Sequence, residues 1–280
     1  MAKAYSLLSW NVEHFKKDPK RKERIPQVVA LLKQQNPDVF ALYEVEGKEV
    51  FAELTATMPG YSFHITEGPE VQEILVGVRS AFTSFFTQKL EFQAGASLMR
   101  PGALVTLTIA DKHYPILFLH TASGDDPRGL GLRDDMLVRA CEFRAVLDAA
   151  AGAAVAGKAA PANYLFLGDF NTMGMTYHYV SARNIAPADE LGKLAREAAA
   201  RKMRFLAKSA PHTWTNGSAS KIPRGNLDHV VAADHMKFRS FGGAEVDVRG
   251  WPQLATAAEQ DKWVRDYSDH AMLYLEVQRA

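Results

Sequence analysis

Cysteine is almost missing from this chain. Cys141 is the only one in 280 residues, so no intrachain disulfide can form, and a reducing, cytoplasmic setting is the expectation. Net charge is equally scarce. Lys and Arg number 33 against 32 Asp and Glu, a formal +1, which excludes a global attraction to nucleic acid and leaves only local patches for that purpose. No apolar stretch approaches the roughly 20 residues that a membrane-spanning helix needs. The run Ala4–Trp10 is too short for a signal-peptide core and carries no cleavage signature. A non-secreted protein without a transmembrane segment is expected, a monomer by default. Internal repeats and linker-like breaks in composition are also lacking, which argues for one domain over 1–280.

What is present is ample apolar material, 47% of the chain, enough for a sizeable core. Short β-type runs extend from end to end: Tyr5–Val12, Val39–Tyr43, Ser62–Thr66, Ile74–Val78, Ala81–Thr87, Ala103–Ile109, Pro115–Leu119, Tyr164–Leu167, Leu227–Ala232, Lys237–Phe241 and Met272–Val277. Several alternate as half-buried strands do. Helical periodicity marks Ile25–Gln35 and Arg133–Ala150, the latter with Met136, Ala140, Phe143 and Leu147 on one face. Ala149–Pro161 reads as a helix end and a loop. Asp189–Lys208, rich in Ala, Lys and Arg, reads as helical, part of a helical insertion near 176–208. Many strands with interspersed helices predict an α/β (α+β) fold, one two-sheet β-sandwich flanked by helices.

Polar clusters close several of these strands: Ser9-Trp10-Asn11-Val12-Glu13, Tyr43-Glu44-Val45, Leu119-His120-Thr121-Ala122, Leu167-Gly168-Asp169-Phe170-Asn171, Leu227-Asp228-His229-Val230 and Ser268-Asp269-His270. Strand ends are where a sheet delivers functional groups to one edge. Hard oxygen donors with almost no cysteine suit Mg²⁺, Mn²⁺ or Ca²⁺ and argue against a structural zinc site.

In this order, from Ser9 to His270, the motifs resemble the endonuclease/exonuclease/phosphatase superfamily, and within it DNase I-like enzymes most closely. The resemblance implies the DNase I-like sandwich and a divalent-metal-dependent phosphodiester hydrolase. Glu44 is implied as the metal ligand, assisted by Asp269 and Glu13. Asn11 and Asn171 would donate to phosphoryl oxygens, where negative charge builds during hydrolysis. Asp169 would position or deprotonate the attacking water. His120 and His270 would exchange protons, since imidazole titrates nearest neutrality. Glu73, in QEILVGVR, would orient His120, and Asp228 would orient His270. Arg100, in LMRPGALV, corresponds to an arginine that contacts phosphate.

The chain also departs from the DNase I-like pattern. Glu46 stands where those enzymes carry arginine two residues after the metal-binding glutamate, and Val71 stands where they carry tyrosine before the dyad glutamate. Glu13 replaces an arginine and fits a solvent-facing loop carboxylate as well as a ligand. Arg100, followed by Pro101, also fits a strand-entry residue. His229 should point away from Asp228 across its strand and serve packing. Two basic runs, Lys16–Arg24 and Lys193–Lys208, fit solvated helix faces, or a rim attracting a polyanion. The substrate expectation is therefore DNA or RNA. The alternative is a small or lipid-linked phosphate ester, such as a phosphoinositide, a sphingomyelin-like lipid or a nucleotide.

Overall fold

The computed structural model describes residues 2–68, 72–93, 99–154 and 160–279. The Val71 position and the 155–159 part of the Ala149–Pro161 stretch lie outside the described residues. In chain order the first half gives β1 (Lys3–Phe15), α1 (Arg24–Gln35), β2 (Val39–Val45), α2 (Lys48–Thr57), β3 (Tyr61–Ile65) and β4 (Glu73–Arg79). Next come β5 (Thr83–Lys89), β6 (Gly102–Ile109), β7 (Lys112–His120), α3 (Pro127–Ala154), β8 (Leu165–Asp169) and α4 (Pro187–Ala200). The chain then adds β9 (Met203–Phe205), β10 (Asp228–Ala233), β11 (Asp247–Arg249), α5 (Ala257–Asp266) and β12 (Met272–Gln278).

The strands form two sheets of six, ordered β11-β12-β1-β2-β4-β3 and β5-β6-β7-β8-β10-β9. Each has one parallel pair at its centre, β1–β2 and β7–β8, and every other neighbour pair is antiparallel. A parallel pair requires a crossover, and α1 and α3 supply the two. The sequence has no internal repeat, yet the topology repeats. Single-domain organisation follows from the shared core between the sheets. Tyr5, Leu7 and Phe40 of one sheet meet Val105, Phe118 and Leu167 of the other in one buried cluster. Strands β7 and β8 are apolar on both faces: Leu117, Leu119 and Phe166 point the other way and pack with Leu137, Ala140 and Cys141 of α3.

Most predicted elements stand at or near the expected positions, and the differences are local. Lys237–Phe241 is not a strand. It makes only single bridges, Phe238 to Val277 and Phe241 to Ala244, because Gly242 and Gly243, both at positive φ, turn the chain at once. The helix expected over Asp189–Lys208 ends at Ala200. Lys202 then adopts a left-handed conformation (φ 55°), and Met203–Phe205 joins the sheet edge beside β10. Helices α2 and α5 were not foreseen, although Thr256 and Glu259 form a reciprocal capping box at the start of α5. Among the described residues, no helix is long and apolar enough to cross a membrane.

Candidate active site

Because β1 runs parallel to β2 and β7 to β8, their C-terminal ends open at the same edge of the sandwich. Asn11 on β1 pairs with Tyr43, next to Glu44. His120 on β7 pairs with Asp169 on β8, which also faces Asp228, the first residue of β10. Ser268, Asp269 and His270 lead into β12. Glu13, His14, Glu44 and Asn171 hold left-handed backbone, with φ of 42°, 46°, 60° and 48°, a clustering of strain typical of functional edges. The glycine of the GDFN motif is also fixed sterically. A Cβ on Gly168 would fall 1.9 Å from the Leu119 carbonyl oxygen.

These groups converge on Asp169. The Asn11 side-chain amide donates to Asp169 Oδ2 at 2.9 Å and to Glu44 Oε1 at 3.0 Å. The Nε2 atoms of His120 and His270 lie 3.6 and 3.7 Å from the same Asp169 oxygen. Asp169 Oδ1 accepts the Asn171 backbone N–H. His270 Nδ1 meets Asp228 Oδ2 at 2.8 Å. Ser268 Oγ donates to the Asn11 carbonyl and accepts the His270 N–H, fixing the loop to β1. Asp269 Oδ2 accepts the Trp214 indole N–H at 2.7 Å. Glu44, Arg100, His120, Asp169, Asn171, Asp269 and His270 all line one cleft of about 800 Å³, whose other wall is Trp214, Ile222, Pro223 and Leu227.

The two imidazoles have opposite electrostatics. Burial pushes His120 well below the ordinary imidazole range, and the positive charges of Arg100 and His270 push the same way. Burial also disfavours charge on His270, but the carboxylates of Asp228 and Asp169 overcome it and raise the group to about 10. Asp169 is raised because it is buried, and the neighbouring Asp228 adds to this, against the pull of His270.

Among the described residues, the one set of three His, Asp or Glu ligand atoms within 4.8 Å of one another is Asp169, Asp228 and His270. His270 Nδ1 is already engaged with Asp228 there, so a cation at that point would compete with the imidazole proton. Glu44 suits a hard cation better. Its carboxylate opens onto the cleft, accepts the His14 backbone N–H at 2.9 Å, and shares the Asn11 amide with Asp169.

Not every expected residue takes its expected place. Glu13 does not line the cleft; at its left-handed backbone position the carboxylate pairs with Arg21 at 3.2 Å and Arg24 at 3.7 Å. Glu73 does not reach His120. Its carboxylate accepts from the Thr66 hydroxyl at 2.5 Å and the Gly68 N–H at 2.9 Å, while His120 Nδ1 is buried without a hydrogen-bond partner among the described residues. Both amide hydrogens of Asn11 are engaged by carboxylates, so it orients them rather than offering a free donor. Asn171 has one amide hydrogen on the Thr121 carbonyl. Arg100 donates from Nε to the Gln72 carbonyl and from Nη2 to its side chain.

Neither basic run lines the cleft. Lys16 meets Glu46, Lys193 meets Asp134, and Arg204 meets Glu245. His229 bonds Thr172 and the Asn226 carbonyl, as a packing residue does. Sequence reasoning missed Gln72, Trp214 and the buried Arg24 and Arg133. Trp214 sits in an unremarked HTW triplet, and Arg24 is masked by the basic run around it.

The endonuclease/exonuclease/phosphatase family model matches residues 8–270. Comparison with curated protein sequences finds no match. Among solved structures, truncated Caenorhabditis elegans TDP2 is similar with a TM-score of 0.62 at 16% identity, over 98% of each chain. D. rerio TDP2 in complex with a single-strand DNA product gives 0.63 at 16% identity, covering 98% of this chain and 99% of that one. The Bacteroides thetaiotaomicron mannosyl-6-phosphatase Bt3783 gives 0.58 at 13% identity, covering 98% and 100%.

Proposed function

The chain belongs to the endonuclease/exonuclease/phosphatase family of metal-dependent phosphoesterases, and from that premise we propose that it hydrolyses phosphodiester bonds in nucleic acid, DNA or RNA. The observation carrying this reading is the meeting of Asn11, His120 and His270 at one Asp169 oxygen, with Glu44 beside them. Phosphodiester hydrolysis needs a water held in line and positive charge facing the phosphoryl oxygens, and this cluster is built for both. Asp169, held by the Asn11 amide and the Asn171 N–H, takes the proton of the attacking water. His270, kept as imidazolium by Asp228, presents its Nε2–H to the phosphoryl oxygens and donates toward the leaving group. His120, neutral at pH 7, accepts or donates a hydrogen bond through Nε2 without adding charge. Arg100 and the remaining amide hydrogen of Asn171 face the phosphate from the cleft wall. Glu44 and Asp269 would hold Mg²⁺, with Mn²⁺ next in suitability. The cation supplies Lewis acidity toward a phosphoryl oxygen.

D. rerio TDP2, a structural neighbour, holds a single-strand DNA product, which supports a nucleic acid substrate. The second reading is a small or lipid-linked phosphate ester. It draws support from the mannosyl-6-phosphatase neighbour and from the absence of both basic runs from the cleft wall. A panel of plasmid, single-stranded DNA, RNA, bis-p-nitrophenyl phosphate and sphingomyelin, with Mg²⁺, Mn²⁺ or EDTA, separates them. Cleavage of a polynucleotide, lost in EDTA and in Glu44→Gln, is the expected result. Hydrolysis in EDTA overturns the role of Glu44, and activity confined to small esters or lipid overturns the substrate.

A further inference from the structure

Two arginines outside the family motifs are among the largest fully buried side chains, Arg24 and Arg133. Both sit in the early part of a crossover helix, Arg24 as the first residue of α1 and Arg133 in the second turn of α3. Their guanidinium groups do not point to solvent. Arg24 donates to the carbonyls of Val12, Glu13 and His14, just beyond Asn11, and to that of Tyr267, just before Ser268-Asp269-His270. The contacts to Tyr267 are 2.9 Å from Nε and 2.7 Å from Nη2. Arg133 donates to the carbonyls of Ala122 and Gly124, just beyond His120, at 3.4 and 2.5 Å. It also donates to Gly174, just beyond Asn171, at 2.9 Å, and is held by Glu190.

The two sets are related by the repeated topology. In each half, the crossover helix that leaves the first parallel strand sends an arginine back to carbonyls at the end of that strand (Val12, Glu13 and His14 in the last residues of β1) or just beyond it (Ala122 and Gly124 after β7). In each half the same arginine also ties in a second catalytic segment. We infer that Arg24 and Arg133 are positioning residues that set the spacing of the four catalytic segments, Arg24 fixing the Asn11 and His270 pair and Arg133 the His120 and Asn171 pair. A planar fork with five donors can span carbonyls on two segments at once; a lysine ammonium on a flexible stem cannot hold that geometry. Arg24→Lys and Arg133→Lys therefore keep a buried cation and an apolar stem while losing the span.

The kinetic half of the inference rests on the phosphoesterase reading, so the test has an arm that does not. Imidazole NMR signals of His120 and His270 are recorded at fixed pH in the metal-free full chain. Wild type is compared with both lysine variants and with Val248→Ala, a core change on the edge strand β11. Arg24→Lys should shift the His270 ring signals and leave those of His120 in place, and Arg133→Lys should do the reverse. Val248→Ala should move neither. In parallel, kcat for bis-p-nitrophenyl phosphate should fall about 10²-fold in each lysine variant, as a misplacement near 1 Å does, with KM within about threefold. Unmoved imidazole signals in both lysine variants overturn the inference, as do equal shifts of both rings in either one. An inactive wild type with the expected pattern of shifts refutes the phosphoesterase reading and leaves the positioning role standing.

Discussion

Strands β4 and β10 occupy the same place in their two sheets, each beside the second strand of the parallel pair, and each begins with a carboxylate. In the first sheet it is Glu73, folded back onto the Thr66 hydroxyl and the Gly68 N–H of its own connection. In the second it is Asp228, which crosses to the other sheet's segment and meets His270 at 2.8 Å. The arginines differ in a parallel way. Arg133 is matched by the Glu190 carboxylate at 2.9 and 3.2 Å. Arg24 is held chiefly by carbonyl dipoles, with Glu13 at 3.7 Å, and burial lowers its pKa to about 10. One backbone plan thus supports a corner that carries fixed charge on its imidazole and a corner that does not. Topology supplies equivalent positions; the side chains decide which of them becomes polar machinery.

The sharpest way to break this comparison is to remove both carboxylates in turn. Asp228→Asn takes away the partner that holds His270 charged and oriented, and kcat should fall by about 10³ to 10⁴, the scale seen when the aspartate beneath a catalytic imidazole is made an amide. Glu73→Gln, at the equivalent strand start, should cost less than about tenfold, because it supports a loop rather than an imidazole. Steady-state kinetics on one chromogenic diester check both. Equal losses would show that Glu73 reaches His120 during turnover.

Stability gives the next contrast. Arg133→Met leaves the Glu190 carboxylate beside a vacated guanidinium site, and losing one partner of a buried pair costs about 3 to 5 kcal/mol. Both variants leave carbonyls without donors, at about 1 to 3 kcal/mol for each one left unpaired, so the broken pair with Glu190 is what sets Arg133→Met apart as the costlier change. Urea denaturation of the two variants should reproduce that order.

The last contrast is in pH dependence. His270 titrates near 10 when folded against 6.5 unfolded, so its contribution is complete below pH 6.5 and is lost as pH rises through about 10. His120 is depressed when folded, so its contribution is present above pH 6.5 and is lost as pH falls toward its folded value. Unfolding free energies of wild type, His120→Gln and His270→Gln, measured without metal from about pH 5 to 10.5, should show the two differences changing at opposite ends of the range. Parallel changes would mean that the imidazoles share one environment.

Much of this was legible in the chain alone. The strand pattern predicted the sandwich because apolar alternation is local, and the gathering of Asn11, Glu44, His120, Asp169 and His270 at one edge was legible because each lies at a strand end in a short motif. Glu13 and Glu73 were misplaced for a shared reason. Their types and positions fit, but the direction of a side chain at a strand end depends on local φ and on competing donors, here the arginines for one and Thr66 with Gly68 for the other. Arg24 and Arg133 were invisible because most of their partners are backbone carbonyls, which every residue has. Short strands β9 and β11 escaped because three residues carry too little periodicity to register.

The pairing of β1 with β12, in register from Leu7 with Leu275 to Ser9 with Leu273, also bears on how the molecule is made. These partners lie at opposite ends of the sequence, and at ribosomal rates of about 5 to 20 residues per second their synthesis is separated by on the order of 10 to 50 s. Through that interval β1 can join β2 but has an open edge on its other side, a surface that invites pairing with foreign strands. Glu44, His120 and Asp169 lie far ahead of β12 in the sequence, while Asp269 and His270 come just before it. One docking event therefore closes the open edge of β1 and brings Asp269 and His270 to the cleft that Glu44 and Asp169 line.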